Sequence, residues 1–309
     1  SLKFKVILFG FIFTFFSSFG QSYFLGLFNS SIREALSITH GQFGSIYASA
    51  TLCSSLLLIW VGKKIDDVNI FKFAFFVTIL LSFACFFFSR VTSVFLLFIA
   101  IFLMRFSGQG MMSHTASTTI SRYFTKTRGR ALSISWFGLS SAEFIMPVLM
   151  VYLLTIIDWQ NLWLIFSISV LIILPIVSFL LIKNLNLDSR EANDENIKHV
   201  EIKQWRRRDV LKDYRFYIIS SNMLAMPWIF TGFAVFQSFV QTSKGWGPYV
   251  IAQSFMSYSI FSVLTLFLSG FLIDKFTSRK LLIYMNIPLL LSVIVLFLFD
   301  TPITAFLFL

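Results

Sequence analysis

Arg105 and Glu143 each stand in the middle of a long apolar run, where ionisable residues are seldom kept. An unpaired charge in hydrocarbon costs at least ~3 kcal/mol, so each must face a partner or a water-filled space. A guanidinium presents a planar fork suited to a carboxylate, and a buried carboxyl is a site for proton exchange. Two chemistries fit this pair. One is a fixed ion pair that sets helix register; the other, preferred here, is a pair that opens when an anionic solute or a proton competes for one member. Binding of both together would be symport. Gln109 follows Arg105 by four residues and shares its helical face, whereas His114, nine residues on, falls on roughly the opposite face and reads as a packed side chain. Gln21, Gln237 and Tyr258 are further polar groups in apolar surroundings, each as able to bond a neighbouring helix as a solute.

The elements that must position these groups are membrane helices. In 309 residues, 57% are hydrophobic and 13% charged, mean hydropathy is +0.82, and there are 41 Phe. One soluble core could not enclose that much apolar surface, which excludes soluble, disordered and secreted disulfide-rich classes. Cys53 and Cys85 lie in apolar runs and supply neither a disulfide framework nor a metal site. Nine apolar stretches reach bilayer length: 6–28, 42–61, 71–89, 94–120, 132–155, 161–182, 216–240, 250–273 and 280–299. The first is too long for a cleaved signal and no small-residue cleavage site follows it. Arg105 on span four and Glu143 on span five lie at equal depth, roughly 18 Å from the same surface.

The charge of +11 follows topology rather than nucleic acid. Assigning loops alternately to two sides places 21 of 25 Lys and Arg on one side, leaving Arg33, Arg90 and Lys244 opposite and Arg105 within a span. The rule that positive loops stay inside then predicts a cytoplasmic N-terminus in a cell inner membrane, with the basic loops against anionic lipid. No phosphate-binding loop is present, and the three His at 40, 114 and 199 are scattered, so neither an ATP-driven pump nor an enzyme is expected. No cofactor or metal is expected.

A repeat organises the spans. Gly62 to Asp66 closes span two and Gly270 to Asp274 closes span eight, at an offset of 208 residues that lays spans one to three on seven to nine without gaps. Residues 1–182 therefore read as a six-span bundle and 183–213 as a cytoplasmic linker with acidic (Glu191, Asp194, Glu195) and basic (Arg206, Arg207, Arg208) clusters. Residues 214–309 read as three spans and the start of a fourth. Ser1 in place of Met, and an apolar run at the other end, predict a fragment of a longer chain with a truncated C-terminus.

Gly270-Phe-Leu-Ile-Asp274-Lys275 with Arg279 and Lys280 resembles the loop motif of the major facilitator superfamily, and Gly62 with Asp66 is similar at the matching place in the repeat. Arg105-Phe-Ser-Gly108-Gln-Gly110 on span four and Tyr123 to Leu132 before span five extend the likeness. The resemblance implies an all-α membrane protein of two pseudo-symmetric six-helix bundles, the second incomplete. It also implies that Gly62, Asp66, Gly270, Asp274, Lys275 and Arg279 form a conformational switch holding the halves together on the cytoplasmic side. Read from the residues alone, Asp66 and Asp274 equally serve as caps of the next helix. The overall look is nearest to bacterial monocarboxylate and oxalate/formate carriers. This implies a secondary active transporter that moves a small organic anion by alternating access, with proton coupling as an option. A carrier of a neutral or zwitterionic metabolite, or a non-transporting solute sensor, are the alternatives. The expected partners are the solute, protons and lipid, without nucleic acid, and a monomer is expected.

Overall fold

The computed structural model describes residues 2–124, 127–183, 207–276 and 278–309, and every regular element among them is a helix. Eight helices are long and apolar enough to cross a membrane: Leu2–Gly20, His40–Asp66, Ile70–Ser89, Val94–Tyr123, Arg128–Leu153, Trp159–Ile182, Tyr214–Val235 and Lys280–Leu298. A ninth, Val250–Phe276, is 27 residues long. These are spans one to six, seven, nine and eight. Most of the linker, with its acidic cluster and the Arg206 and Arg207 side chains, lies outside the described residues; a short helix, Arg207–Lys212, leads into span seven.

Polar caps fix where the spans begin. Thr39 and Gln42 form a reciprocal box before span two: the Gln42 amide donates to Thr39 Oγ1 at 3.2 Å and the Thr39 amide to Gln42 Oε1 at 2.8 Å. Asn69, Ser93 and Asp213 cap spans three, four and seven through their own side-chain oxygens. Beside Asp213, the Arg215 side chain and amide hold its carboxyl below the usual range.

Inside the first bundle small residues allow backbones to touch, as expected where lipid removes the hydrophobic drive between helices. A Cβ on Gly138 of span five would lie 1.9 Å from the Phe11 carbonyl of span one, and Thr14 donates to the Ser135 carbonyl at 2.6 Å. Spans three and six are joined by Ser82 and Ser167, each hydroxyl donating to the other residue's carbonyl at 2.9 and 2.8 Å. On the outer face of span six, Ile168, Leu171, Ile172, Ile176 and Phe179 are exposed, an apolar stripe that suits acyl chains.

Several spans are not the uniform helices that their hydropathy suggests. Span one stops at a tight turn, Ser18–Gly20, resumes as Ser22–Leu27, and breaks again at Phe28 before Asn29–Leu36. Span four carries a π-helical stretch at Arg105–Met112. Span seven breaks at Phe236 before Gln237–Ser243, and span nine is divided between Ser278–Tyr284 and Asn286–Leu298. Span five, by contrast, continues through Pro147. The repeat extends to the breaks, since the offset of 208 lays Phe28 on Phe236 and Asn29 on Gln237.

Candidate functional site

The irregular parts of spans one and four meet. A Cβ on Gly20 would come within 2.3 Å of the Met104 carbonyl and 2.4 Å of the Gln109 amide, and one on Gly108 within 2.6 Å of the Gly20 nitrogen, so only glycine fits either position. The turn at Ser18–Gly20 releases the Gly20 carbonyl from the helical ladder, and Arg105 Nη1 donates to it at 2.8 Å. The guanidinium carbon also lies 5.3 Å from the centre of the Tyr47 ring on span two, a cation–π distance. Arg105 is 7% exposed, and its Nε has no hydrogen-bond partner. Spans one and two also carry unpartnered hydroxyls. Tyr47 OH lies near Ser22 and Thr51 without completing a hydrogen bond, and Tyr23 OH is placed likewise beside Ser18. Buried polar atoms left so are unusual in a finished core.

Glu143 is equally buried, at 7% exposed, yet it does not meet Arg105. Among the described residues no ion pair joins them, which corrects the expectation that they pair when no solute is bound. The physical reason is that the broken span one supplies a carbonyl and span two an aromatic face, and these take the guanidinium instead. Glu143 borders a cavity of about 540 Å³ between spans five, seven and eight, walled in part by Trp136, Met226, Tyr258, Phe261 and Ser262.

The remaining candidates separate. Tyr258 lies with Glu143 on the cavity. Gln109 is half-buried at the Gly20 crossing, and Gln21 is half-buried at the break in span one. Gln237 is committed to the protein: its Nε2 donates to the Tyr23 carbonyl at 2.9 Å, joining the halves. Asn29, its equivalent in the repeat, does the reverse, donating to the Val235 carbonyl at 2.7 Å. Between these two bonds Gly26 meets its own equivalent, since a Cβ there would lie 1.9 Å from the Ala234 carbonyl. At mid-span, Ser259 donates to the Ser140 carbonyl at 2.5 Å.

In the loop motif, Asp66 accepts from Arg122 of span four, whose Nη1 also donates to the Ile65 carbonyl at 3.2 Å, and His114 Nε2 donates to the Gly62 carbonyl at 2.9 Å. These bonds stay within the first bundle rather than crossing to the second. The helical turn Gly62–Asp66 brings the carboxylate back over span four, where Arg122 meets it. Lys275 ends span eight and is exposed, whereas the side chains of Gly270, Asp274 and Arg279 lie outside the described residues.

Sequence reasoning missed Tyr47, Tyr23, Thr51 and Asn29. Tyr47 and Thr51 stand in a run of small residues, Gly44 to Thr51, which marks a helix face meant for close approach; Asn29 was legible as the repeat partner of Gln237.

Two solved structures of a bacterial homolog of the human lysosomal transporter Spinster share this architecture. The inward-facing unoccupied form matches with a TM-score of 0.75 at 18% identity, over 99% of this chain and 71% of the homolog. The inward-facing occupied form matches with a TM-score of 0.70 at 16% identity over the same shares. Comparison with curated protein sequences gives no match. The sequence profile of the Major Facilitator Superfamily matches residues 10–309. With a match of that extent, on a fold of broken and repeated membrane helices, the chain belongs to the major facilitator superfamily.

Proposed function

We propose that this protein carries a small organic anion across the membrane by alternating access, with Arg105 as the anion's principal partner and Glu143 as a proton site. Transport of a solute across the membrane follows from the superfamily; the anion, the proton and the orientation are our reading. The single observation that carries it is the state of Arg105: a buried guanidinium with one N–H on a carbonyl and Nε unpartnered, against the ring of Tyr47, whose hydroxyl also lacks a partner. Such donors want an acceptor that the protein does not supply, and a carboxylate matches the fork. They are closed in by Tyr47, so the anion gains access when this ring moves. With residues 1–182 as one rigid unit, 214–309 as the other and 183–213 as a cytoplasmic connector, rocking about the centre supplies that movement. The closest backbone approach between the halves runs through Asn29, Gln237 and Gly26, at the end opposite the basic loops, and Ser259 adds a bond to the Ser140 carbonyl nearer mid-span. The arrangement is therefore inward-facing with the N-terminus cytoplasmic, in keeping with the two similar structures.

Uptake into proteoliposomes of a panel of small carboxylates, with neutral solutes of matched size, tests this. Carboxylate uptake is expected, with Arg105→Gln lowering it about 10- to 150-fold, the range for a charged hydrogen bond. Equal uptake of neutral solutes, or an Arg105→Gln variant as active as the parent, would refute it.

A further inference from the structure

We infer that the cavity beside Glu143 is a binding site for an organic ammonium group, distinct from the anion site at Arg105. Glu143 has neither a hydrogen bond nor an ion pair among the described residues, although it is more than nine-tenths buried and opens on a cavity. A buried carboxylate in that state calls for positive charge. A proton would answer the charge but not the space, since about 540 Å³ is the volume of a small-molecule pocket. A metal ion does not answer the walls. Inorganic cations need a cage of oxygens rich in carboxylate and carbonyl, and here the side-chain oxygens are one carboxylate and the hydroxyls of Ser140, Tyr258, Ser262 and Thr265.

The aromatic residues on the cavity decide the class. Trp136 and Phe137 come from span five, and Tyr258 and Phe261 from span eight. Ring faces attract weakly hydrated organic cations, ammonium above all, and one anion among several rings is how a protein selects such a group over sodium or potassium. Met226 of span seven also lines the space, so the site is shared between the two halves and changes shape when they move. A ligand held there differently in two arrangements shifts their balance. Proton and ammonium compete for the one carboxylate, so at Glu143 each excludes the other.

Tetraethylammonium, which cannot lose its charge, is the probe, titrated by calorimetry into the intact purified protein. Saturable binding is expected, weakened at least about tenfold in Glu143→Gln, as befits loss of a charged partner. Tyr258→Leu and Phe261→Leu are each expected to weaken it about two- to fivefold while keeping the carboxylate. Binding is also expected to release protons, read as a heat that varies with the ionisation enthalpy of the buffer, and to weaken as pH falls. No saturable binding, or equal affinity in the parent and Glu143→Gln, would overturn the site. Should Glu143→Gln fail to fold, unchanged affinity in both aromatic variants would do so. Carboxylate uptake lost in Arg105→Gln with tetraethylammonium binding intact would support two separate sites. Failure of ammonium binding leaves the anion reading standing, and failure of anion uptake leaves this one.

Discussion

Gly26 and Gly138 are alike in their local geometry and opposite in what they join. At each, a methyl group would come within 1.9 Å of a backbone carbonyl, of Ala234 for Gly26 and of Phe11 for Gly138. Gly138 lies inside the first bundle, where Thr14 and Ser135 add a hydrogen bond across the same crossing and spans one and five run together along their length. Gly26 lies between the halves, where the close backbone approach sits toward one end, is flanked by the paired amides of Asn29 and Gln237, and is followed at mid-span by the bond from Ser259 to the Ser140 carbonyl. Close packing makes the first crossing permanent. The second has the same closeness over a short patch with few bonds, which is what a contact requires if it must open and re-form. Its symmetry follows from the repeat: equivalent residues, Gly26 and Ala234, meet each other, and equivalent amides each take a carbonyl from the opposite half.

The strongest way to break this comparison is to add one methyl at each glycine. In Gly138→Ala the new carbon meets both the Phe11 carbonyl and Thr14 Oγ1, at 1.9 and 2.3 Å, with spans one and five unable to separate. Overpacking of that kind costs about 1–3 kcal/mol or more, and a large fall in melting temperature in detergent, or loss of folded protein, is expected. Gly26→Ala is expected to leave melting near the parental value and to force the halves apart. The readout is the distance between spin labels at Glu34→Cys and Thr242→Cys, both exposed, in a background with the exposed Cys53 changed to Ser. If Gly26→Ala destabilised as much as Gly138→Ala and left the label distance unchanged, the contact between halves would be part of a fixed core.

A smaller effect tests the symmetry. Asn29→Leu and Gln237→Leu each remove one amide that donates across the halves, at 2.7 and 2.9 Å. A net hydrogen bond of about 1 kcal/mol corresponds to roughly a fivefold change in population, toward separated halves, in the same label measurement. The two variants should agree within a factor of about two, the tolerance that context normally imposes on such values. A large effect from one and none from the other would show that the closure rests on a single bond.

Much of this architecture is legible in the order of the residues. Periodicity and length mark the spans because a bilayer admits few alternatives to a long apolar helix. The offset of 208 reveals the repeat, down to the equivalence of Asn29 and Gln237. Depth arithmetic correctly singles out Arg105 and Glu143 as buried at mid-span. It fails on their relation, since equal depth says nothing of azimuth, and azimuth is reset by features that hydropathy does not register. Gly108 and Gly110 let span four widen into a π-helical stretch from Arg105 onward, and the break at Gly20 creates an acceptor where an unbroken helix would have none. Tyr47 escapes notice for a related reason: an aromatic on an apolar span looks like packing until a cation is found on its face. The loop motif is legible as a motif but its partner, Arg122 of span four, is not, and a dependence of that pairing on conformation is what a variant of Asp66 can test.

That dependence leads to the smallest expected effect. Asp66 pairs with Arg122 while 67% of its own side chain and 27% of that of Arg122 remain exposed, and Arg122 keeps a second bond to the Ile65 carbonyl. An exposed pair is worth about 0–1 kcal/mol, so Asp66→Asn should barely move the melting temperature. What it does to the distance between labels at Glu34 and Thr242 separates the two roles open to the motif. If the carboxylate only ties spans two and four together, the distance distribution stays as in the parent, because no bond between the halves has changed. If it also latches the second bundle in the alternate arrangement, that arrangement loses a charged contact while the present one loses almost nothing. The population then shifts further toward halves joined through Asn29 and Gln237, and the distribution narrows at its short end. A shift toward longer distances fits neither role and would mean that the Asp66 to Arg122 pair itself helps keep the opposite end closed, coupling the two ends through span four.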